Sequence, residues 1–209
     1  MTVAVIVLGV GAELAAWRVV VATRRSVWVV MAPTLGAMGV AALLVRQPPL
    51  SPRASVALAA SAGLASGAAL YVATRLFVRV VKGWGAFVRQ SEDLYGRRGS
   101  LSLPAVIALG AGIMALGEEL FWRGVAQPRL IGASGSAVTG AAITWAFYIV
   151  ANLPSASLPI VAGAVVGGAV WAALAVWTHG ILASLLCHVC WTALMLAFPV
   201  IPVPAERRP

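Results

Sequence analysis

The chain is a succession of long apolar blocks separated by short polar punctuation. Blocks at 3–22, 26–45, 54–76, 103–127, 136–152, 158–177 and 180–198 carry few charges. Each is about the length of helix, near 20 residues, that crosses a bilayer core of about 30 Å. They predict an all-α fold, a polytopic transmembrane helix bundle of about seven spans, organised as a single membrane domain over residues 1–209. No block repeats another. The breaks RQPPLSPR at 46–53, QPRLIGASGS at 127–136 and LPSASLP at 153–159 hold the Pro, Gly and Ser that mark turns.

One stretch departs from this rhythm. Residues 82–100 interleave Trp84, Phe87 and Tyr95 with Lys82, Arg89, Glu92 and Asp93. That mixture reads as an interfacial connector, either a helix lying at headgroup level or a solvated linker between the third and fourth spans.

Composition narrows the class. With 61% hydrophobic and 10% charged residues and a mean hydropathy of +0.96, the chain lies outside the range of soluble domains, so membrane lipid is its first partner. The first block lacks a basic leader and carries Glu13 and Arg18, so it reads as a retained span and not as a cleaved secretory signal. The net charge of +9 is scattered through short connections instead of gathered in a stripe, and no nucleic-acid partner is expected.

The scattered cations report topology instead. Arg24 and Arg25 follow the first span, Arg46 and Arg53 the second, and Arg75, Arg79, Lys82, Arg89, Arg97 and Arg98 the third, with Arg207 and Arg208 near the end. By the positive-inside rule this predicts a multi-pass protein of the cell membrane with its N-terminus outside and its C-terminus cytoplasmic.

Charges inside the blocks carry the chemistry. An ionised group in hydrocarbon costs roughly 2.5–3.5 kcal/mol on insertion scales, which makes a paired or functional role the default. Glu13 and Arg18, five positions apart, are read as structural, each paired to another helix. The segment EELFWR holds three charges, Glu118, Glu119 and Arg123. On an α-helix Glu119 and Arg123 are i, i+4 neighbours and form an ion pair, which leaves Glu118 on another face without an intrahelical partner. Glu118 is then the candidate general base, free to face a water-filled cavity. Late in the chain His188 lies inside a span with Thr192 four residues on, whereas His179 sits at a span junction. Cys187 and Cys190 flank His188 and read as small packing residues.

Glu118-Glu119-x-x-x-Arg123 followed by a late intramembrane histidine resembles the CAAX protease and bacteriocin-processing family, intramembrane glutamic endopeptidases related to the type II CAAX prenyl endopeptidase. The likeness covers a core of about 103–198. EELFWRGVAQPRL is similar to the family's first motif and its usual continuation, and His188 with Thr192 half meets the third motif, His-x-x-x-Asn. The second motif, Phe-x-x-x-His, aligns either as Tyr148-x-x-x-Asn152 or with Phe147 kept and Ala151 in the histidine position. The first alignment is preferred because NLP then falls where the family often has His-Leu-Pro. In both the histidine is missing.

The resemblance implies a peptide or protein substrate, prenylated or not, and no cofactor. Glu118 would be the base, His188 an oxyanion donor and Thr192 a weaker substitute for an amide, while Asn152 can hydrogen-bond a water but cannot exchange its proton usefully. A metal site built from Glu118, Glu119 and His188 is disfavoured because the HExxH helix is absent. General acid–base help is worth about 10²–10⁴-fold and one oxyanion donor about 10²–10³-fold, so the two departures imply a weak or inactive protease. The alternative is a non-catalytic scaffold or immunity-type binding member of the same fold. A proton-coupled transporter is a third reading, against which no inverted repeat is found.

Overall fold

The computed structural model describes residues 1–45, 49, 52–81 and 83–201. Arg46, Lys82, Arg207 and Arg208, used above for topology, lie outside the described residues. The described chain is helical throughout apart from turns, and no strand occurs among the described residues. In order the helices are α1 (Thr2–Thr23), α2 (Val27–Val45), α3 (Val56–Val81), α4 (Gly85–Gly96), α5 (Leu103–Ser134), α6 (Ala137–Asn152), α7 (Leu158–Thr178) and α8 (Leu182–Ala197). A 3₁₀ turn, Leu153–Ser155, extends α6.

Six of these, α1, α2, α3, α5, α6 with its turn, and α7, are long and apolar enough to cross a membrane. The chain is a multi-pass membrane protein. The seventh apolar helix, α8, has 16 residues, which at 1.5 Å per residue spans about 24 Å and falls short of a full bilayer core. It stops before Pro199, as the residue preceding a proline disfavours helix.

The helix edges follow the apolar blocks within two residues, with two exceptions: α3 continues past the expected 76 to Val81, so Arg75 and Arg79 lie within it, and the fourth block departs further. The fourth block was expected to end at 127 and instead runs as one 32-residue helix, Leu103–Ser134, until Gly135 breaks it at φ 68°. Pro128 does not end α5 because it falls where a π-helical stretch, Glu119–Ala126, gives way to α winding. Such local changes of winding let membrane helices absorb a proline.

Close backbone approaches hold α5 in the centre. Without a hydrophobic driving force in lipid, membrane helices associate through small residues that let backbones meet. On one side α2 meets α5 at Gly39 and Gly117; a Cβ on Gly117 would land on the carbonyl oxygen of Leu35. On the other side α8 packs most extensively on α3, where a Cβ at Gly63 or Gly67 would stand 2.5 Å from the Ala183 carbonyl or 2.7 Å from that of Cys187. Cys187 is buried and both cysteines are free thiols in this packing.

The 82–100 connector contains the amphipathic helix α4. Phe87 is buried between Phe77, edge-on at 5.7 Å, and Trp84, stacked at 6.0 Å. Gln90 Oε1 accepts the Leu158 amide at 2.7 Å, and the Tyr95 hydroxyl donates to the Met195 carbonyl at 3.1 Å, so α4 is tied to the start of α7 and the end of α8. Its outer face carries the Asp93–Arg97 ion pair.

Candidate active site

The site is built on α5, whose winding is not uniform. Two stretches, Ala108–Met114 and Glu119–Ala126, are π-wound: the Ala115 amide donates to the Gly110 carbonyl and that of Gln127 to the Trp122 carbonyl, five residues back in each case. π turns recur at functional sites because the wider turn moves a side chain off the face that α winding would give it. Here the one α turn between them ends on Glu118, and the second π stretch begins on Glu119. The uniform 100° per residue expected from sequence therefore does not apply at the motif.

Both carboxylates converge on one imidazole. His188 Nδ1 stands 3.1 Å from Glu119 Oε1, and Nε2 stands 3.6 Å from Glu118 Oε2. The first is a hydrogen bond and the second is too long for one, so Nε2 remains uncommitted. Trp171 of α7 stacks on the histidine ring at 3.6 Å and 14°, which fixes the ring plane. Glu118 does have a partner: the Tyr148 hydroxyl donates to its Oε1 at 3.3 Å.

Glu119 and Arg123 form the expected ion pair, Nη1 to Oε1 at 3.3 Å, and both side chains are essentially inaccessible. Arg123 does more than pair. Its Nη2 donates to the Gly168 carbonyl at 3.1 Å, and its guanidinium lies over the rings of Tyr148 at 4.7 Å and Trp171 at 5.4 Å. One cation thereby joins α5, α6 and α7.

Glu13 was expected to be a structural residue paired to another helix, and its hydrogen-bond partners do lie on other helices, although neither is a cation. Arg18 is exposed, while Glu13 is fully buried and its carboxylate accepts from two groups beside the site, Trp122 Nε1 at 3.1 Å and Asn152 Nδ2 at 3.2 Å. Asn152 also donates from Nδ2 to the Tyr148 carbonyl at 3.0 Å. The N-terminal helix thus reaches the residue that aligns with the missing histidine.

A cavity of about 420 Å³ opens against these groups, lined by Glu118, Tyr148, Asn152, Trp171, His188 and Thr192 among others. Thr192 lines it one turn beyond His188, half-buried. Phe87, Ser91 and Tyr95 of α4 line it as well, and Trp122 does not. Of the six residues singled out by sequence, Glu118, Glu119, Arg123 and His188 form one contiguous cluster. Asn152 joins it through Tyr148 and Glu13, and Thr192 shares only the cavity wall. Sequence reasoning missed Glu13, Tyr148 as a hydrogen-bond donor, and Trp171. Glu13 carried a signal, an acid inside an apolar block; Trp171 carried none that set it apart from seven other tryptophans.

Among the described residues no group of three His, Cys, Asp or Glu side chains is arranged to hold a metal ion. The cluster's chemistry is that of two adjacent carboxylates, one locked by a cation and one facing a cavity beside an imidazole. Residues 100–194, which contain every member of the cluster except Glu13, match the type II CAAX prenyl endopeptidase Rce1-like family. Among curated proteins and among solved structures nothing matches the chain. Residues 100–194, a little under half of the chain, are thus similar to the type II CAAX prenyl endopeptidases of the CAAX protease family.

Proposed function

We propose that the protein is an intramembrane endopeptidase that hydrolyses a peptide bond with a water activated by Glu118. The observation that carries this reading is that Glu118 and His188 border one cavity of about 420 Å³ from opposite helices. In the reaction Glu118 takes a proton from water as its oxygen attacks the scissile carbonyl carbon. His188 acts in its imidazolium form: Nδ1–H is held by the Glu119 carboxylate and Nε2–H donates to the oxyanion, assisted by the Thr192 hydroxyl. Collapse of the tetrahedral species breaks the C–N bond, and the proton held by Glu118 passes to the leaving amine. The products are one carboxylic acid and one amine.

Glu119 and Arg123 act on this chemistry by orientation. The Glu119 carboxylate, held by Arg123, fixes His188 through Nδ1, and Trp171 fixes the ring plane. Donors held in place before the reaction are worth more in a dry site than in water. The mostly apolar cavity wall, with Trp17, Leu70, Phe77 and Met114, suits an apolar peptide segment or one carrying a lipid chain. The catalytic core is residues 103–198, with α4 as an interfacial helix beside the cavity. The orientation, N-terminus outside and C-terminus cytoplasmic, rests on the cation distribution and requires the 16-residue α8 to cross as a short seventh span, which a locally thinned bilayer accommodates.

The test is reconstitution in nanodiscs with internally quenched peptides, one bearing an S-prenyl cysteine and one a bare transmembrane sequence. Wild type cleaves one of them and Glu118→Ala does not; equal cleavage by both proteins refutes the proposal. A second reading, a non-catalytic binding member, is favoured by one observation, the Asn152 amide bound to Glu13 where the family has histidine. It predicts peptide binding without cleavage, unchanged by Glu118→Ala.

A further inference from the structure

The buried carboxylate of Glu13 lies outside the family-matched region, and none of the steps above uses it. Its surroundings fix how it acts. The Trp122 indole can only donate, so Glu13 Oε2, 3.1 Å away, must accept. The Tyr148 carbonyl can only accept, so the atom of Asn152 that stands 3.0 Å from it must be the amide nitrogen. Glu13 Oε1 takes the second hydrogen of that nitrogen at 3.2 Å. Both Nδ2 hydrogens are thereby committed. The carbonyl Oδ1 is the amide's remaining polar atom, on a side chain that lines the cavity with Glu118.

We infer that Glu13 is a positioning residue for hydrolysis, which locks the Asn152 amide so that its Oδ1 presents an acceptor to the attacking water. The inference rests on the proteolytic reading. A water between Glu118 and Oδ1 donates one hydrogen to each and keeps a lone pair for the carbonyl carbon. A turned-over amide would offer N–H instead and engage that lone pair. The asparagine thus does part of what a histidine would do: it aims the water, while Glu118 alone takes the proton.

Glutamine at position 13 has one acceptor oxygen and cannot serve both Trp122 and Asn152; with that oxygen on Trp122, the Asn152 amide keeps only the Tyr148 carbonyl and is no longer locked. Misplacement of a reacting group on this scale costs about 10²-fold. In nanodiscs, with the quenched S-prenyl peptide as probe, Glu13→Gln is expected to lower kcat about 10²-fold with KM unchanged. In an Asn152→Ala background the same substitution changes kcat no further. Independent, multiplying losses would overturn the inference, as would an unchanged kcat in Glu13→Gln.

A second measurement needs no turnover. Asn152 is the only asparagine in the chain, so ¹⁵N-asparagine labelling gives a single side-chain amide pair. Its hydrogens are expected to exchange with solvent at least about tenfold faster in Glu13→Gln than in wild type, since an amide with both hydrogens bonded is protected. Equal exchange in the two proteins overturns the lock whatever the kinetics show. Wild-type exchange as fast as that of free asparagine does the same without any variant. If wild type cleaves no faster than Glu118→Ala while the exchange difference persists, the proteolytic reading fails and with it the kinetic role, and the amide lock alone stands.

Discussion

Replacing Arg123 with methionine tests the architecture of the site most sharply, because one side chain holds three helices there. Arg123→Met keeps the length of the side chain and removes the ion pair to Glu119, the hydrogen bond to Gly168 and the cation over Tyr148 and Trp171. The Glu119 carboxylate, fully buried and bonded to His188, is left without its guanidinium partner. Removing one partner of a buried pair costs roughly 3–5 kcal/mol, mainly because the other charge stays uncompensated. At about 2–4 °C per kcal/mol for a chain of this size, Tm should fall by about 6–20 °C. Tryptophan fluorescence during thermal unfolding in detergent reads this directly. Glu119→Gln combined with Arg123→Met removes the stranded charge and should regain most of the loss. The reasoning is refuted if Arg123→Met melts within about 2 °C of wild type, or if the double variant is less stable than the single one.

Three further outcomes follow from other contacts. Tyr148→Phe removes the donor to Glu118 and keeps the ring under Arg123; a hydrogen bond to a charged group is worth about 1.5 kcal/mol, so Tm should fall by about 3–6 °C, and peptide cleavage should fall as Glu118 loses the contact that orients it. Gly117→Val forces α5 away from the Leu35 carbonyl of α2, an overpacking worth about 1–3 kcal/mol, and should lower both Tm and cleavage, whereas Gly112→Ala, where a Cβ meets open space, should leave both unchanged. Burial pushes the Tyr95 hydroxyl of α4 up to about 12 from the ordinary 10, so the folded state holds this proton where the unfolded chain has lost it. Stability is then full below about pH 10 and declines as pH rises from 10 toward 12, and Tyr95→Phe should flatten that decline in Tm between pH 9.5 and 11.5.

The spans were legible because hydrocarbon admits backbone only as helix, so block length and turn residues place α1, α2, α3 and α7 within a few residues. The end of α5 was not, since Pro128 and Gly132 read as a turn and only the change of winding explains why the helix continues to Ser134. The Glu119–Arg123 pair was legible from spacing alone. The company of Glu118 was not: its hydroxyl donor comes from Tyr148 on α6, a contact between positions that sequence order does not connect. Glu13 is the instructive case. The argument that made Glu118 suspicious, an acid in an apolar block, applied equally to Glu13, but no neighbouring motif drew attention to it. Its partners, Trp122 and Asn152, lie more than a hundred residues away along the chain.

The central claim is that Glu118 activates the hydrolytic water, with the chemistry supplied by this chain's own side chains. The most direct measurement compares the single-turnover cleavage rate of the quenched S-prenyl peptide by wild type and by Glu118→Gln in nanodiscs, each with and without prior chelation, and with Tm recorded for both. The account predicts at least a 10²-fold loss in Glu118→Gln, a wild-type rate unaffected by chelation, and two proteins that melt within a few degrees of each other. A Glu118→Gln protein that cleaves as fast as wild type would contradict it.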